Sequence, residues 1–457
     1  MKRNWKKFWK LGSREFGTRH FDINKDGALV VREGNYQYKI MDLVKRFGTS
    51  LEVVFPSIIE ERLSELLETF GHAMKGNQYK GKFFFHYPLK VNQNKEFVLP
   101  IVSEGGHMEV GSVNELWIIK RIWEQEHFSS KIRVFCNGPK TRKYLSLIEE
   151  LNGKGLYIVP IIENSFELDY LRGYKGDVGI RVEPALKIKS YWDKRVDQFG
   201  FPFKEILELS RIRNLKVLHY HAGSQIESQK DLIASAKLAM EYFIKIKKIN
   251  PSLDTLDIGG GMAIPYEKKK MYRMESVVKG IVKAIKISAD KAEIQHPNIV
   301  VEWGRYIVAP AQITIFGISF EKPTANSKSA AKKWYFIDGS FMNDLPDTWA
   351  IHQKWHVAPA NYMDSSSLTR VWLAGSTCDS DDKYTRGGSY ILLPRLDALE
   401  NGDALNVVFF DTGAYQDPLS SHHCLLSNPA SLIAQNGIIT VARKRETPED
   451  VGRLFGW

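Results

Sequence analysis

Cysteine is scarce in this sequence, with three residues in 457: Cys136, Cys378 and Cys424. Three widely separated thiols are too few for a disulfide framework or a zinc site, so we expect no metal. No apolar run approaches the roughly 20 residues that span a bilayer. The basic N-terminus is followed by polar residues and not by the apolar core of a signal peptide. These absences predict a cytoplasmic protein without a membrane partner.

A nucleic-acid-binding motif is also missing, although the formal net charge is +11. Basic residues cluster in places, but they do not alternate with the aromatic and base-reading side chains that nucleic-acid modules use. We therefore interpret the charge as a solvated basic surface and expect no nucleic-acid partner. The alternative, a basic RNA-binding protein, predicts binding that weakens steeply with salt.

Between about residues 80 and 312, short apolar runs alternate with helical patterns, which is typical of a parallel sheet with crossover helices. A capping box at Ser112–Glu115 marks one helix start, and residues 229–249 have helical spacing throughout. Strands are predicted at 83–91, 107–110, 133–136, 156–161, 178–183, 216–221, 255–258 and 298–303. Eight strands close a barrel, so the predicted fold class is α/β, with a (β/α)8 TIM-like barrel over residues 79–312.

After residue 312 the periodicity changes to that of β-strands. The β-like runs fall at 312–320, 334–337, 371–374, 390–393, 404–410 and 437–441. This pattern predicts a second, mostly β domain over residues 313–457. A helix at 58–75 would lead from the N-terminal segment into the barrel.

Residues with chemical potential follow the ends of the predicted barrel strands, where barrels place their active sites. Lys90 closes the first strand, and a lysine there is costly to half-bury unless it has a function. Six short motifs contain candidate functional residues: Tyr87–Gln93, His221–Gln225, Asp257–Gly261, Glu302–Tyr306, Gly375–Asp382 and Asp411–Gln416. The first four belong to the predicted barrel, and the last two belong to the predicted β domain.

In their order along the chain, these motifs resemble the fold-type-III pyridoxal-phosphate decarboxylases of amino acids. Within that family the sequence most resembles the biosynthetic arginine decarboxylases, over roughly residues 15 to 430. The resemblance implies an alanine-racemase-like fold in which residues 1–78 contribute to the β domain. It also implies a homodimer, or a larger assembly, whose active sites are shared across the subunit interface.

Pyridoxal 5'-phosphate is the cofactor that the resemblance implies, and the residue types agree with it. Lys90 would bind its aldehyde covalently. Glu302 would pair with the ring nitrogen, because a neighbouring carboxylate favours the protonated ring. Glycines offer backbone N–H groups that can approach the phosphate closely. The predicted cofactor-binding residues are Lys90, Arg181, His221, Ser224, Gly259, Gly260, Gly261, Glu302, Gly304, Arg305 and Tyr415.

The predicted catalytic residues are Lys90, His221, Glu302 and Cys378. The resemblance places His221 against one face of the cofactor ring and Arg181 near the ring hydroxyl, although an ion pair between Arg181 and Glu183 is an alternative. A thiol can act as a general acid, so Cys378 would protonate Cα after carbon dioxide leaves. Glu109 would line the same site.

The small-molecule substrate is expected to be a basic amino acid. Asp379 would pair with its cationic side-chain end, and Asp344 could provide a second carboxylate. The segment 338–349 resembles the arginine enzymes, so the expected reaction converts L-arginine to agmatine in polyamine biosynthesis. Those enzymes are longer, with helical insertions and a C-terminal extension. That difference keeps citrulline, ornithine, lysine and diaminopimelate as alternative substrates.

Two further functions fit the same architecture. An amino-acid racemase would need a second acid/base group on the opposite ring face and would usually avoid a carboxylate at the ring nitrogen, so Glu302 and Cys378 argue against it. A catalytically silent regulatory homologue would have lost Lys90, Cys378 or Asp379, and the sequence retains all three.

Overall fold

The computed structural model describes residues 4–125, 132–183, 190, 198–268, 272–325, 328–385, 388–400 and 403–457. The chain forms two compact units. One consists of residues 60–263 and 271–307, and the other consists of residues 1–59, 264–270 and 308–457. We call them the barrel unit and the β unit.

The barrel unit contains a closed barrel of eight parallel strands. Its strands are Phe83–Pro88, His107–Val110, Arg133–Cys136, Tyr157–Ile162, Val178–Arg181, Leu215–His219, Thr255–Asp257 and Asn298–Val301. The last strand closes the barrel by pairing with the first, with Val301 opposite Phe85. The predicted fold class is confirmed, and every predicted strand lies within three residues of an observed one.

Helices alternate with the barrel strands. They are Pro56–Gly76 before the first strand, and then Lys95–Ser103, Val113–Trp123, Arg142–Gly153, Ser165–Tyr170, Phe203–Glu208, Gln229–Ile249, Met274–Lys291 and Gly304–Val308. The Ser112 hydroxyl accepts the Glu115 N–H at 3.2 Å, as the capping box predicts. The Glu115 carboxylate accepts the N–H of Gly111 at 2.7 Å, one residue earlier than an ideal box.

Apolar side chains fill the barrel interior. Phe135, Val159, Ile161, Val217 and Val300 form one fully buried cluster. Their β-branched and aromatic side chains suit strands that are covered on both faces. The ends of these strands therefore have a rigid base on which polar groups can be held.

The β unit contains two sheets. The smaller sheet has strands Phe21–Ile23, Leu29–Glu33 and Tyr36–Lys39. The larger sheet has strands Leu51–Val54, Gln312–Pro323, Lys333–Ile337, Val357–Pro359, Leu368–Ala374, Lys383–Tyr384, Ile391–Pro394, Asn406–Phe409, Ala430–Gln435 and Ile438–Arg443. The short helices of the β unit are Trp5–Phe8, Ile40–Phe47, Asp347–Ala350 and Pro448–Leu454. The chain enters the larger sheet at Leu51–Val54, before the barrel begins, and returns to it at Gln312.

None of the helices in these described ranges combines the length and the apolar character needed to cross a membrane.

Candidate active site

Lys90 lies just beyond the first barrel strand. That strand ends at Pro88, which has no N–H to continue the ladder, and Lys90 follows in a short 3-10 turn, Leu89–Val91. Leu89 and Val91 are buried while Lys90 is exposed. The turn is thus anchored on both sides of the lysine, and its ammonium group lies close enough to Glu109 and Glu302 to oppose the rise of their pKa values.

Three carboxyl groups and an imidazole meet near these strand ends. Glu109, Asp257, Glu302 and His219 are all buried. Nδ1 of His219 lies 2.9 Å from Oδ2 of Asp257 and 3.9 Å from Oε1 of Glu302. Asn137 donates to Oε1 of Glu302 at 2.9 Å. Glu302 therefore lies among Glu109, Asn137, His219 and Asp257, each at or just after the end of a different strand. We call Glu109, His219, Asp257 and Glu302 the carboxyl cluster.

Burial dominates the electrostatics of the carboxyl cluster. It raises the pKa of Glu302 to about 7, with a further contribution from the charge of Asp257. It also raises the pKa of Asp257 to about 7, although a hydrogen bond from the Gly259 N–H opposes the shift. The pKa of Glu109 is raised well above its ordinary value by burial and by the Glu302 charge. A cationic group placed among them would favour their ionised forms.

The glycine string lies directly after Asp257. Gly259 has φ of +63° and Gly261 has φ of +122°, so both adopt conformations that side chains disfavour. A Cβ on Gly259 would lie 2.7 Å from the Tyr220 carbonyl oxygen, and one on Gly260 would lie 3.0 Å from Nε2 of His221. Asp257 accepts the Gly259 N–H at 2.9 Å. The loop is therefore pressed against His221, with Asp257 fixing its first residue.

His221 lies two residues beyond the sixth strand, which ends at His219 and not at residue 221 as predicted. Nδ1 of His221 accepts the Gly223 N–H at 3.1 Å, which turns the chain away from the barrel ladder. The neighbouring Ser224 is half-buried, and its N–H donates to the hydroxyl of Ser190 at 2.9 Å. His221 therefore lies against the glycine string, and Ser224 follows it three residues later.

Arg181 ends the fifth barrel strand and is buried. Its Nη1 lies 3.3 Å from the nearer carboxylate oxygen of Glu163, and its guanidinium carbon lies 4.5 Å from the centre of the Phe199 ring. The structure thus pairs Arg181 with Glu163, where the sequence suggested Glu183. A second buried pair, Lys140 with Glu167 at 3.0 Å, is linked to it, because Glu167 accepts the Glu163 N–H at 3.0 Å.

Gly304 and Arg305 begin the short helix after the eighth strand. A Cβ on Gly304 would lie 2.9 Å from the Pro88 ring, so only glycine fits between the first and the eighth strands here. Arg305 is buried beside it. The barrel unit therefore gathers nine of the predicted cofactor residues around strand ends, together with Lys90.

The remaining predicted residues belong to the β unit. Cys378 and Asp379 lie on the loop between two strands, with Cys378 exposed and Asp379 partly exposed. Tyr415 is half-buried and has φ of +70°. Asp344 is fully buried, and its Oδ2 accepts the Ser340 N–H at 2.9 Å within its own loop. Burial raises the pKa of Asp344 to about 7.

Sequence reasoning missed several partners. Asp257 lies in one of the predicted motifs, but the sequence assigned it no role. No role was predicted for His219, Asn137, Glu163 or Cys424. Polar residues at the ends of buried barrel strands were the available signal for His219 and Asp257, because such residues are rarely buried without a partner. No local signal distinguishes Glu163 or Cys424.

A cofactor with a ring nitrogen and a phosphate fits these residues. Among the described residues, Oε2 of Glu109, Oδ1 of Asn137 and Nε2 of His219 are buried without a hydrogen-bond partner. Ligand atoms of His219, Asp257 and Glu302 lie within 4.8 Å of one another, a spacing that could also hold a metal ion. The bare backbone of the glycine string beside this cluster favours a phosphate-bearing organic cofactor.

Comparison with known proteins identifies the family. Residues 59–309 match the model of the pyridoxal-dependent decarboxylase, pyridoxal binding domain. The biosynthetic arginine decarboxylase of Prochlorococcus marinus is 24% identical, with 91% of this chain and 84% of the relative covered. The arginine decarboxylase of Avena sativa is also 24% identical, covering 91% of this chain and 85% of that protein.

Solved structures have the same fold. The biosynthetic arginine decarboxylase of Campylobacter jejuni superposes with a TM-score of 0.82 at 20% identity, covering 96% of this chain and 89% of that one. The diaminopimelate decarboxylase of M. jannaschii, in complex with L-lysine, superposes with a TM-score of 0.80 at 22% identity, covering 95% and 97%. With the family model matching more than half of its length, this chain belongs to the pyridoxal-dependent decarboxylases, which confirms the family, the cofactor and the carboxy-lyase class that its sequence predicts.

Proposed function

We propose that this decarboxylase acts on L-arginine, releasing carbon dioxide and agmatine for polyamine biosynthesis in the cytoplasm. The observation that supports arginine as the substrate is the similarity to arginine decarboxylases over 91% of the chain. That similarity extends through the β unit as well as the barrel unit. Asp379 and the segment 338–349, on which the choice of arginine depends, belong to the β unit.

In the barrel unit, Lys90 would bind the cofactor aldehyde and Glu302 would pair with the ring nitrogen. His221 would support the ring, and Arg181, which is paired with Glu163, would lie near the ring hydroxyl. Gly259, Gly260, Gly261, Ser224, Gly304 and Arg305 would hold the phosphate, and the family resemblance implies the same role for Tyr415 of the β unit. Bound there, pyridoxal phosphate would supply the electron sink for cleavage of the bond to the carboxylate.

In the β unit, Cys378 donates a proton to Cα. Its contact with Cys424 raises the pKa of the Cys378 thiol, which keeps the donor protonated at neutral pH.

Asp379 receives the substrate guanidinium. Its Oδ2 lies 3.4 Å from Nε2 of His423, an imidazole that is charged only when protonated. A guanidinium is always charged and can bind a carboxylate through two parallel hydrogen bonds, so it would displace that contact. Asp344 is already bonded within its own loop, so we assign the guanidinium to Asp379.

Carbon dioxide release from separate solutions of arginine, citrulline, ornithine, lysine and diaminopimelate tests the proposal. We expect release from arginine at the highest kcat/KM. Release from another of the five substrates alone would contradict arginine, and release from none of them would contradict decarboxylation of a basic amino acid.

Asp379→Asn sharpens this test. The variant should lose roughly 10- to 100-fold in kcat/KM for arginine, because a charge-assisted hydrogen bond contributes about 1.5–3 kcal/mol. Citrulline has the same shape without the charge, so its kcat/KM should change little. An equal loss for both amino acids would contradict a role in charge recognition.

We also propose a homodimer in which Cys378 and Asp379 complete the active site of the neighbouring subunit. Mixed dimers of Lys90→Ala and Asp379→Ala subunits would then contain one intact site. Mixing the two inactive variants should restore about a quarter of wild-type activity if subunits exchange at random. No recovery from verified mixed dimers would contradict shared sites.

A further inference from the structure

Two of the three cysteines are in contact, although 46 residues separate them in the chain. Sγ of Cys378 lies 3.8 Å from Sγ of Cys424, and both residues are free and exposed. Cys136, the third, is fully buried in the barrel unit. The contact therefore pairs the residue proposed as proton donor with a cysteine that has no assigned role.

The Cys378 loop is held by hydrogen bonds. Asp382 accepts the Phe341 N–H at 2.7 Å through Oδ1. Its Oδ2 accepts the Thr377 N–H at 3.0 Å and the Thr377 hydroxyl at 2.7 Å. Asp382 is buried, so these bonds are shielded from water and fix the residue just before Cys378.

The Cys424 turn is held by the same segment of the chain. Oδ1 of Asn343 accepts the His423 N–H at 3.2 Å and the Ser421 hydroxyl at 3.0 Å. Its amide donates to the His423 carbonyl at 3.1 Å. Asn343 is two residues from Phe341, so one short segment anchors both cysteine loops. The sulfur contact follows from that common anchor.

We propose that Cys378 and Cys424 form a reversible dithiol–disulfide site that reacts with low-molecular-weight disulfides. A disulfide needs its sulfurs about 2.05 Å apart, so they must approach by roughly 1.8 Å. Rotation of two exposed side chains can supply that movement without opening the anchored loops. Cys424 also has φ of +54°, a conformation that is uncommon outside glycine and that places its backbone in a tight turn.

The reaction balances without a metal or a further oxidant. One protein thiolate attacks the small disulfide, forming a mixed disulfide and expelling one small thiolate. The second protein thiolate then attacks the protein sulfur of the mixed disulfide and expels the other small thiolate. The two protein thiols are oxidised, the small disulfide is reduced to two thiols, and the two protons pass to those products.

The effect on catalysis rests on the proposed role of Cys378. In the disulfide this residue has no thiol proton to donate to Cα. Oxidation would therefore suppress decarboxylation, and reduction would restore it. The thiol pair would let the surrounding thiol–disulfide ratio set the activity of the enzyme.

Mass spectrometry of the full-length, cofactor-loaded enzyme after treatment with oxidised glutathione tests the site itself. Wild type should lose about 2 Da, carry no glutathione, and give a crosslinked peptide that contains Cys378 and Cys424 and disappears with dithiothreitol. Cys424→Ser should instead retain one glutathione on Cys378, because the resolving thiol is absent. Cys136→Ser, the matched control, should still form the crosslink.

Other outcomes overturn the proposal. A stable glutathione adduct on wild type, no change in mass, or a disulfide between two chains would each exclude the intramolecular site. Activity measured on the same samples is a separate readout. A roughly 10²-fold loss that dithiothreitol reverses supports the effect on proton donation. Full activity with the crosslink formed would keep the dithiol site and overturn the general-acid role of Cys378.

Discussion

In the barrel unit, Asp257 and Glu302 are at most 4% exposed and lie at the ends of paired strands. In the β unit, Cys378 and Asp379 lie on a loop that solvent reaches. Burial raises the pKa values of both carboxyl groups of the first pair to about 7. The side chains of the second pair contact exposed neighbours, Cys424 and His423. The ionisation of the barrel carboxyl groups thus depends on their burial in the fold. The two side chains of the β unit are open to solvent and to small molecules dissolved in it.

The largest effect should come from the barrel lysine. Lys90→Ala removes the covalent attachment of the cofactor, so the visible absorbance of the holoenzyme should be lost and activity should fall by on the order of 10⁴-fold. Absorbance spectra and carbon dioxide release measure the two effects. Lys95→Ala, an exposed lysine five residues away, is the control and should behave as wild type. An unchanged spectrum in Lys90→Ala would contradict the assignment.

Glu302→Gln should have the next largest effect. A neutral amide cannot balance a protonated ring nitrogen, so kcat should fall by roughly 10²- to 10³-fold. Because Glu302 is buried, the ratio of wild-type to variant activity should not depend on salt. The exposed Glu124→Gln is the control. A deficit that disappears at high salt would place Glu302 in solvent contact.

The carboxyl cluster should also impose a pH dependence on stability in protein prepared without cofactor. Folding raises the pKa of Glu302 from 4.5 to about 7, so the folded state binds that proton more tightly. This stabilisation is fully present below about pH 4.5 and is lost as the pH rises through about 7. The difference between wild type and Glu302→Gln in unfolding free energy should change by roughly 3 kcal/mol over that range. Urea titrations at a series of pH values measure it, and a constant difference would contradict the raised pKa.

Cys378→Ala should have the smallest of these effects. Loss of the proton donor should slow product formation by roughly 10²-fold, and protonation at the wrong atom should divert part of the substrate to an aldehyde. Chromatography of the products after complete turnover gives the amine-to-aldehyde ratio. Cys136→Ala is the control for removal of a thiol. If Cys378→Ala keeps the wild-type rate and ratio, Cys378 is not the general acid.

Local pattern predicted the barrel well, because each strand is a short apolar run followed by a helix with its own signals. Val357–Pro359 and Ala430–Gln435 are among the strands that were missed. The first is only three residues long, and the second pairs in parallel with Leu51–Val54, far away in the chain. The Arg181–Glu163 pair, in place of the alternative Arg181–Glu183 pair, and the Cys378–Cys424 contact were not predicted for the same reason. Each depends on which distant segments the fold brings together, and no local spacing encodes that.

Closure of the barrel by pairing Phe85 with Val301 has a consequence for synthesis on the ribosome. The lysine segment is made early, but the strand that precedes Glu302 and completes the ring is made last. At about 5–20 residues per second, roughly 10–40 seconds separate the two. During that interval the nascent chain exposes an unclosed sheet edge and lacks Glu302. With the role proposed for Glu302, complete cofactor binding would have to follow closure of the barrel.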